Sequence, residues 1–253
     1  MAQQAVPVRD ARLGRAAGAA EDRTVQGVVL LLPGGEPAST RKQSPLAAVG
    51  TRRLGRWLTR LGGQEGLVTH VVHYRYRGWN GDEAHPAEDA EWAADEAVRR
   101  YGDVPVCLAG IRMGARAALR AAGHPAVNSV LALAPWLPEE GGTREPEPVR
   151  QLMGRRVLLV HGTVDRRTAP HLSYRLAERA KKVNPDVCRF EVHTDDHRLK
   201  QHRDEVLALA ADFVLGSLLE RGYSRPVTDA LAAPPPLGLR MPLAAGFGAS
   251  LRP

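Results

Sequence analysis

Short, almost uninterrupted apolar runs alternate along this chain with longer stretches of helical period, and that alternation limits the possible folds more than any other feature. The runs occupy residues 25–32, 67–74, 104–109, 129–134, 156–161 and 188–193. A run that is apolar at consecutive positions suits a strand covered on both faces, as in a parallel sheet. Helical signals fill the intervals. Ser44-Pro45 reads as an N-cap with proline in the first turn, Leu54, Trp57, Leu58 and Leu61 form an apolar stripe, and Gly62-Gly63 ends it. Pro86 opens a second helix, with Glu88 and Asp89 in its first turn and Arg99 and Arg100 in its last, as the helix dipole favours. Ala90, Ala93, Ala94 and Ala97 let this helix pack closely. Further helices are expected from 113 to 122, from 172 to 182, and from 201 to 219 with Val206, Leu209, Phe213 and Val214 inward. Strand and helix in alternation imply an α/β fold: a mostly parallel sheet flanked by helices, with right-handed crossovers and no large cap domain.

The length of 253 residues suits one such domain. Residues 24–222 carry the pattern. Residues 1–23, rich in alanine and arginine without period, read as a flexible arm, and residues 223–253 as a tail rich in proline, alanine and glycine. Pro234-Pro235-Pro236 forbids helix there, yet Leu237, Leu239, Met241, Leu243 and Phe247 would be wasted in solvent, so part of the tail is expected to dock. A net charge of +7 invites an anionic partner. However, only four of the 35 basic residues are lysine, and the bias to arginine, alanine, glycine and proline is a codon-composition signature. There is no basic run and no interleaving of aromatic with basic residues, so nucleic-acid binding is not expected. Cys107 and Cys188 sit in separate strand-like runs and make neither a disulfide framework nor a metal site. No secretory signal or membrane span is visible, and a soluble cytoplasmic protein without metal or cofactor is expected. Oligomeric state leaves no mark in the sequence.

The chemistry gathers around Gly110-Ile111-Arg112-Met113-Gly114, between a strand and a helix. In that context two glycines let strand and helix approach while the middle residue stands in a strained, exposed turn. Asp165 follows the strand at 156–161, and His197 follows the strand at 188–193. In the order elbow, acid, histidine, the chain resembles the α/β-hydrolase family over roughly residues 25–219, and within it the small lid-less esterases and dienelactone-hydrolase-like members. The resemblance implies Asp165 as triad acid, His197 as base, and an oxyanion hole from the Met113 amide and an amide at Gly34 or Gly35. Where the family carries a serine, cysteine or aspartate nucleophile, this chain has Arg112. A guanidinium stays protonated and does not attack a carbonyl. Cys107 lies inside its strand, and Ser44 is better used as a helix cap. Plainer readings stand beside these. Arg112 is compatible with an inert side chain in solvent, Asp165 with a simple turn, and His193 competes with His197. His161 reads as a structural strand-end histidine. Tyr74, Trp79 and Trp136 follow strand ends, where open α/β sheets bind ligands, and suit pocket and packing roles equally. The expectation is a hydrolase relative without a covalent step that takes a small, anionic ligand. The alternative is an enzyme that uses Asp165 and His197 as a general base.

Overall fold

The computed structural model describes residues 9–19, 23–139, 145–219 and 221–249. Its central strands run parallel: β3 (Gly27–Leu32), β4 (Leu67–His73), β5 (Val106–Ile111), β6 (Val127–Leu133), β7 (Arg156–Gly162) and β8 (Val187–Val192). Two-residue strands β1 (Arg12–Leu13), β2 (Ala17–Gly18) and β9 (Met241–Pro242) complete a sheet ordered β1-β4-β3-β5-β6-β7-β8-β9, with β2 also on β4. The apolar runs are continuous because both faces are covered. In β3, Val28, Leu30 and Leu32 enter one core and Val29 and Leu31 the other. The first core packs under α2 (His85–Tyr101), α3 (Met113–Arg120) and α4 (Pro170–Lys181). The second packs under α1 (Val49–Gly62), α5 (Arg203–Leu218) and α6 (Arg225–Ala232). Alanines 90, 93, 94 and 97 of α2 are wholly buried, as their small size requires for close helix–sheet approach.

Several boundaries differ from the sequence expectation for local reasons. β5 begins at Val106 because Pro105 has no N–H for the ladder; its carbonyl still accepts from Val28. Ser44 caps a 3₁₀ turn, accepting from the Leu46 amide at 3.3 Å, and the α-helix proper follows at Val49. The sequence reading expects a flexible arm over residues 1–23, but β1 and β2 pair antiparallel with β4. Residues 1–8 and 20–22 of that arm lie outside the described residues. The tail forms α6 before its proline run, then buries Leu239 and adds β9 in parallel to β8. No helix among the described residues is long and apolar enough to cross a membrane.

The parallel register lines up the C-terminal strand ends. Leu32 pairs with Gly110, Ile111 with Leu133, Leu133 with Val160, and Gly162 with Val192. The loops after β3, β5, β7 and β8 therefore meet at one edge of the sheet, and each carries one of the candidate site residues.

Candidate functional site

Arg112 joins β5 to α3 at φ 56° and ψ −113°, a conformation that a residue with a side chain rarely adopts. Neighbouring backbone holds it there. Its amide donates to the Leu133 carbonyl at 2.9 Å, and its carbonyl accepts from Arg116 at 3.2 Å and Trp136 at 3.1 Å. The flanking glycines are obligatory. A Cβ on Gly110 would stand 2.1 Å from the Gly114 carbonyl oxygen, and one on Gly114 would stand 2.0 Å from that of Leu32. Such strain costs on the order of 1–3 kcal/mol and persists only where the surroundings enforce it.

The Arg112 side chain does not point freely into solvent. It lies along the loop after β3, with Nε 3.4 Å and Nη2 3.6 Å from where a Cβ of Gly34 would be. Gly35 is crossed more closely still by Met113 Cε, 2.0 Å from its Cβ position. The guanidinium therefore lies beside Gly34, in one element of the expected oxyanion hole, and Arg112 itself precedes the other, the start of α3, whose first amides have no intrahelical acceptor. Arg112 makes no ion pair among the described residues, and its Nε is buried without a hydrogen-bond partner. Burial lowers its pKa, and so do the cations Arg167 and Arg198; Asp165 and Asp196 pull weakly the other way. Arginine has so large a margin that it stays charged.

Asp165 is fully buried at its side chain. One carboxylate oxygen accepts from the amides of Arg167 (2.8 Å) and Thr168 (2.9 Å). The other accepts from the Thr168 hydroxyl and from His161 Nε2, at 3.3 Å for the latter. Burial alone would raise its pKa, but the hydrogen bonds from His161, Thr168 and Arg167 together hold it well below the usual carboxylate range. His161 also donates to the Thr168 carbonyl at 2.7 Å, and its Nδ1 lies 2.8 Å from the Ser173 hydroxyl. It is a buried strand-end residue that helps to hold the Asp165 carboxylate.

His197 Nδ1 lies 3.9 Å from Asp165 and 3.7 Å from Asp196, close to both carboxylates but beyond hydrogen-bond length. Its Nε2 is buried and has no partner among the described residues. Burial lowers the His197 pKa, Arg112 and Arg167 lower it further, and Asp196 and Asp165 oppose them. Asp195 shapes this loop by accepting from the amides of Asp196, Lys200 and His202. His193 sits exposed just past β8.

Cys107 is enclosed in β5, where burial pushes its thiol up to about 12. Tyr74 is buried, and its hydroxyl donates to the Pro33 carbonyl at 3.1 Å, next to Gly34. Trp79 and Trp136 do line a cavity of about 860 Å³ beside α3, with Pro37, Arg116 and Arg120. That cavity includes none of Arg112, Asp165 and His197. Arg116 stacks 3.9 Å from the Trp79 ring and 5.2 Å from that of Trp136, and it shares the buried Glu147 with Arg120. Sequence reasoning missed Arg167, Arg198, Asp195 and Glu147, because isolated charges in loops form no motif. The run Asp165-Arg166-Arg167 was the one available hint.

Among solved structures, an esterase from Pyrococcus furiosus superposes with a TM-score of 0.61 at 16% identity, covering 83% of this chain and 91% of that one. A lid-less α/β serine hydrolase from Xanthomonas campestris gives 0.56 at 17% identity, covering 80% and 88%. The chain has the α/β-hydrolase fold. An α/β serine hydrolase homologue from Coxiella burnetii agrees, at a TM-score of 0.53 and 16% identity over 79% of this chain and 89% of that one. No protein-family model matches the sequence, and neither does any curated protein. The likeness covers the mostly parallel sheet and its flanking helices, without a large cap domain.

Proposed function

We propose that this chain is a member of the α/β-hydrolase fold with a degenerate triad, which binds a small anion at its elbow and performs no covalent catalysis. The observation that carries this reading is Arg112 itself: a strained, half-buried cation whose Nε has no partner, beside the start of a helix. The N-terminus of a helix is already partly positive, so a cation there is unfavourable unless an anion bridges it and the amides. Asp165 supplies no such relief, since its oxygens are engaged by Thr168, Arg167 and His161. Arg167 and Arg198 add positive potential to the same place. The test is thermal unfolding with short carboxylates and phosphate at constant ionic strength. A ligand at about 100 times its Kd stabilises by roughly 2.7 kcal/mol, which for a domain of this size raises Tm by about 5–11 °C. Arg112→Ala should abolish the response. If no anion raises Tm, or the variant responds as the parent does, the reading fails.

A second reading has its own support. Asp165 stays ionised near His197 Nδ1 and burial keeps His197 neutral, which is the arrangement of a general base. It predicts turnover of some substrate that is lost in His197→Ala, with no covalent adduct.

A further inference from the structure

Helix α1 gathers surplus positive charge on its outer face. It carries Arg52, Arg53, Arg56 and Arg60 and no carboxylate. All four are exposed, and none forms an ion pair among the described residues. Arginines on other helices are paired: Arg99 and Arg100 of α2 share Glu96, and Arg116 and Arg120 of α3 share Glu147. Like charges three and four residues apart repel, so the bare cluster weakens the helix that carries it.

Two exposed aliphatic side chains continue the same face. At about 3.6 residues per turn, Val49 and the four arginines fall within an arc of roughly 100°, opposite the buried Leu54, Leu58 and Gly62. Leu46 lies on the preceding 3₁₀ turn, where side chains three apart eclipse, and so lines up with Val49. Leu46 is 81% exposed and Val49 54%. The face is thus apolar at its N-terminal end and basic along the rest. Arg53, Arg56 and Arg60 also line a cavity of about 260 Å³ with Trp57, Leu207 and Asp204, between α1 and α5. The Arg60 guanidinium lies 6.0 Å from the Trp57 ring. Burial lowers the pKa of His73, and Arg12 and Arg52 lower it further, which puts Arg12 of β1 in the same positive field.

We propose that this face of α1 docks on an anionic bilayer surface, with the arginines on lipid phosphates and Leu46 and Val49 at the acyl boundary. The reading is independent of any anion at the elbow. A nucleic-acid backbone would match the arginines and leave both aliphatic side chains in water. A specific protein interface takes roughly 20 or more residues a side, and this face has only Leu46, Val49 and four arginines. A bilayer offers phosphate and hydrocarbon within a short depth and needs no matched shape. The cavity beside Trp57 gives a headgroup a place among the cations.

The experiment is co-sedimentation of the full chain with two kinds of vesicle, phosphatidylcholine alone and phosphatidylcholine mixed with phosphatidylserine. The chain should bind the mixed vesicles at low salt, less tightly at high salt, and the neutral vesicles far more weakly. An arginine at an anionic surface is worth about fivefold in affinity, so Arg53→Gln, Arg56→Gln and Arg60→Gln together should weaken binding about a hundredfold. Leu46→Ser with Val49→Ser should weaken it several-fold and leave its salt dependence in place. These side chains are exposed, so both variants should keep the Tm of the parent, which circular dichroism checks. No binding to mixed vesicles at low salt would overturn the inference, and so would equal binding by the parent and the glutamine variant. Tighter binding to duplex DNA than to mixed vesicles, unchanged by the serine substitutions, would assign the face to nucleic acid and overturn it too.

Discussion

At the scale of the residue, Arg112 holds a costly backbone conformation and a half-buried charge with no ion-pair partner among the described residues at one position. Neither benefits the folded chain alone. Glycine adopts φ 56° without a Cβ clash, so Arg112→Gly should raise stability by about 1 kcal/mol. For a domain of this size that is about 2–4 °C in Tm, readable by calorimetry. A variant no more stable than the parent would mean the elbow is relaxed and Arg112 carries no stored strain. Arg112→Ser tests what remains of the triad. The parent should show no stoichiometric labelling by a fluorophosphonate probe in intact-mass spectra. The serine variant should label at the new hydroxyl and hydrolyse an activated aryl ester about tenfold faster than the parent, with His197→Ala erasing the gain. No labelling in a folded variant would show that the 3.9 Å gap between His197 and Asp165 does not close.

At the scale of the element, the site is made by turns rather than by regular structure. Asp165 caps the turn between β7 and α4, and Asp195 does the same after β8. Gly162 lets the two turns cross, since a Cβ there would stand 2.3 Å from the Asp195 carbonyl oxygen. This arrangement makes stability depend on pH with a definite sign. His197 has a folded pKa below its ordinary value of about 6.5, so the unfolded chain takes the proton first as pH falls. Its contribution is complete above pH 6.5 and declines below it. Asp165 is also depressed, so its contribution is complete above about pH 4 and is lost below that as its carboxyl protonates. Urea midpoints across a pH series should fall in these two windows, and Asp165→Asn should flatten the lower one. A midpoint that rises on acidification would contradict both assignments. The positions of Arg112, Asp165 and His197 after β5, β7 and β8 were legible in the sequence because each follows an apolar run that only a doubly covered strand explains. Arg167 and Arg198 were not, because a lone cation in a loop acts through space on Arg112 and leaves no periodicity.

At the scale of the whole molecule, the parallel sheet is closed at both edges by segments that the sequence marks poorly. β1 and β2 cover β4, and β9 covers β8. Two-residue strands have no internal pattern; their pairing is set entirely by the partner, which is why the arm and tail look unstructured in sequence while the six central strands do not. An open edge is a template for other chains. Ending the chain after Gly222 removes the buried Val227, Ala230 and Leu239, and should cost about 5 kcal/mol and promote self-association. Denaturant titration and sedimentation velocity would show both effects; a stable monomeric truncation would show that β8 needs no cover. The stack of Arg116 between Trp79 and Trp136 has a consequence of another sort. Arg116 and Trp136 both donate their amides to the Arg112 carbonyl, so the cation and one of its two indoles hang from the same oxygen as the elbow, while the Trp79 amide donates to the Glu36 carbonyl. A shift of the elbow would therefore move the Arg116 charge relative to the Trp79 ring. If the proposed anion binds at Arg112, tryptophan emission should report it, with no label attached.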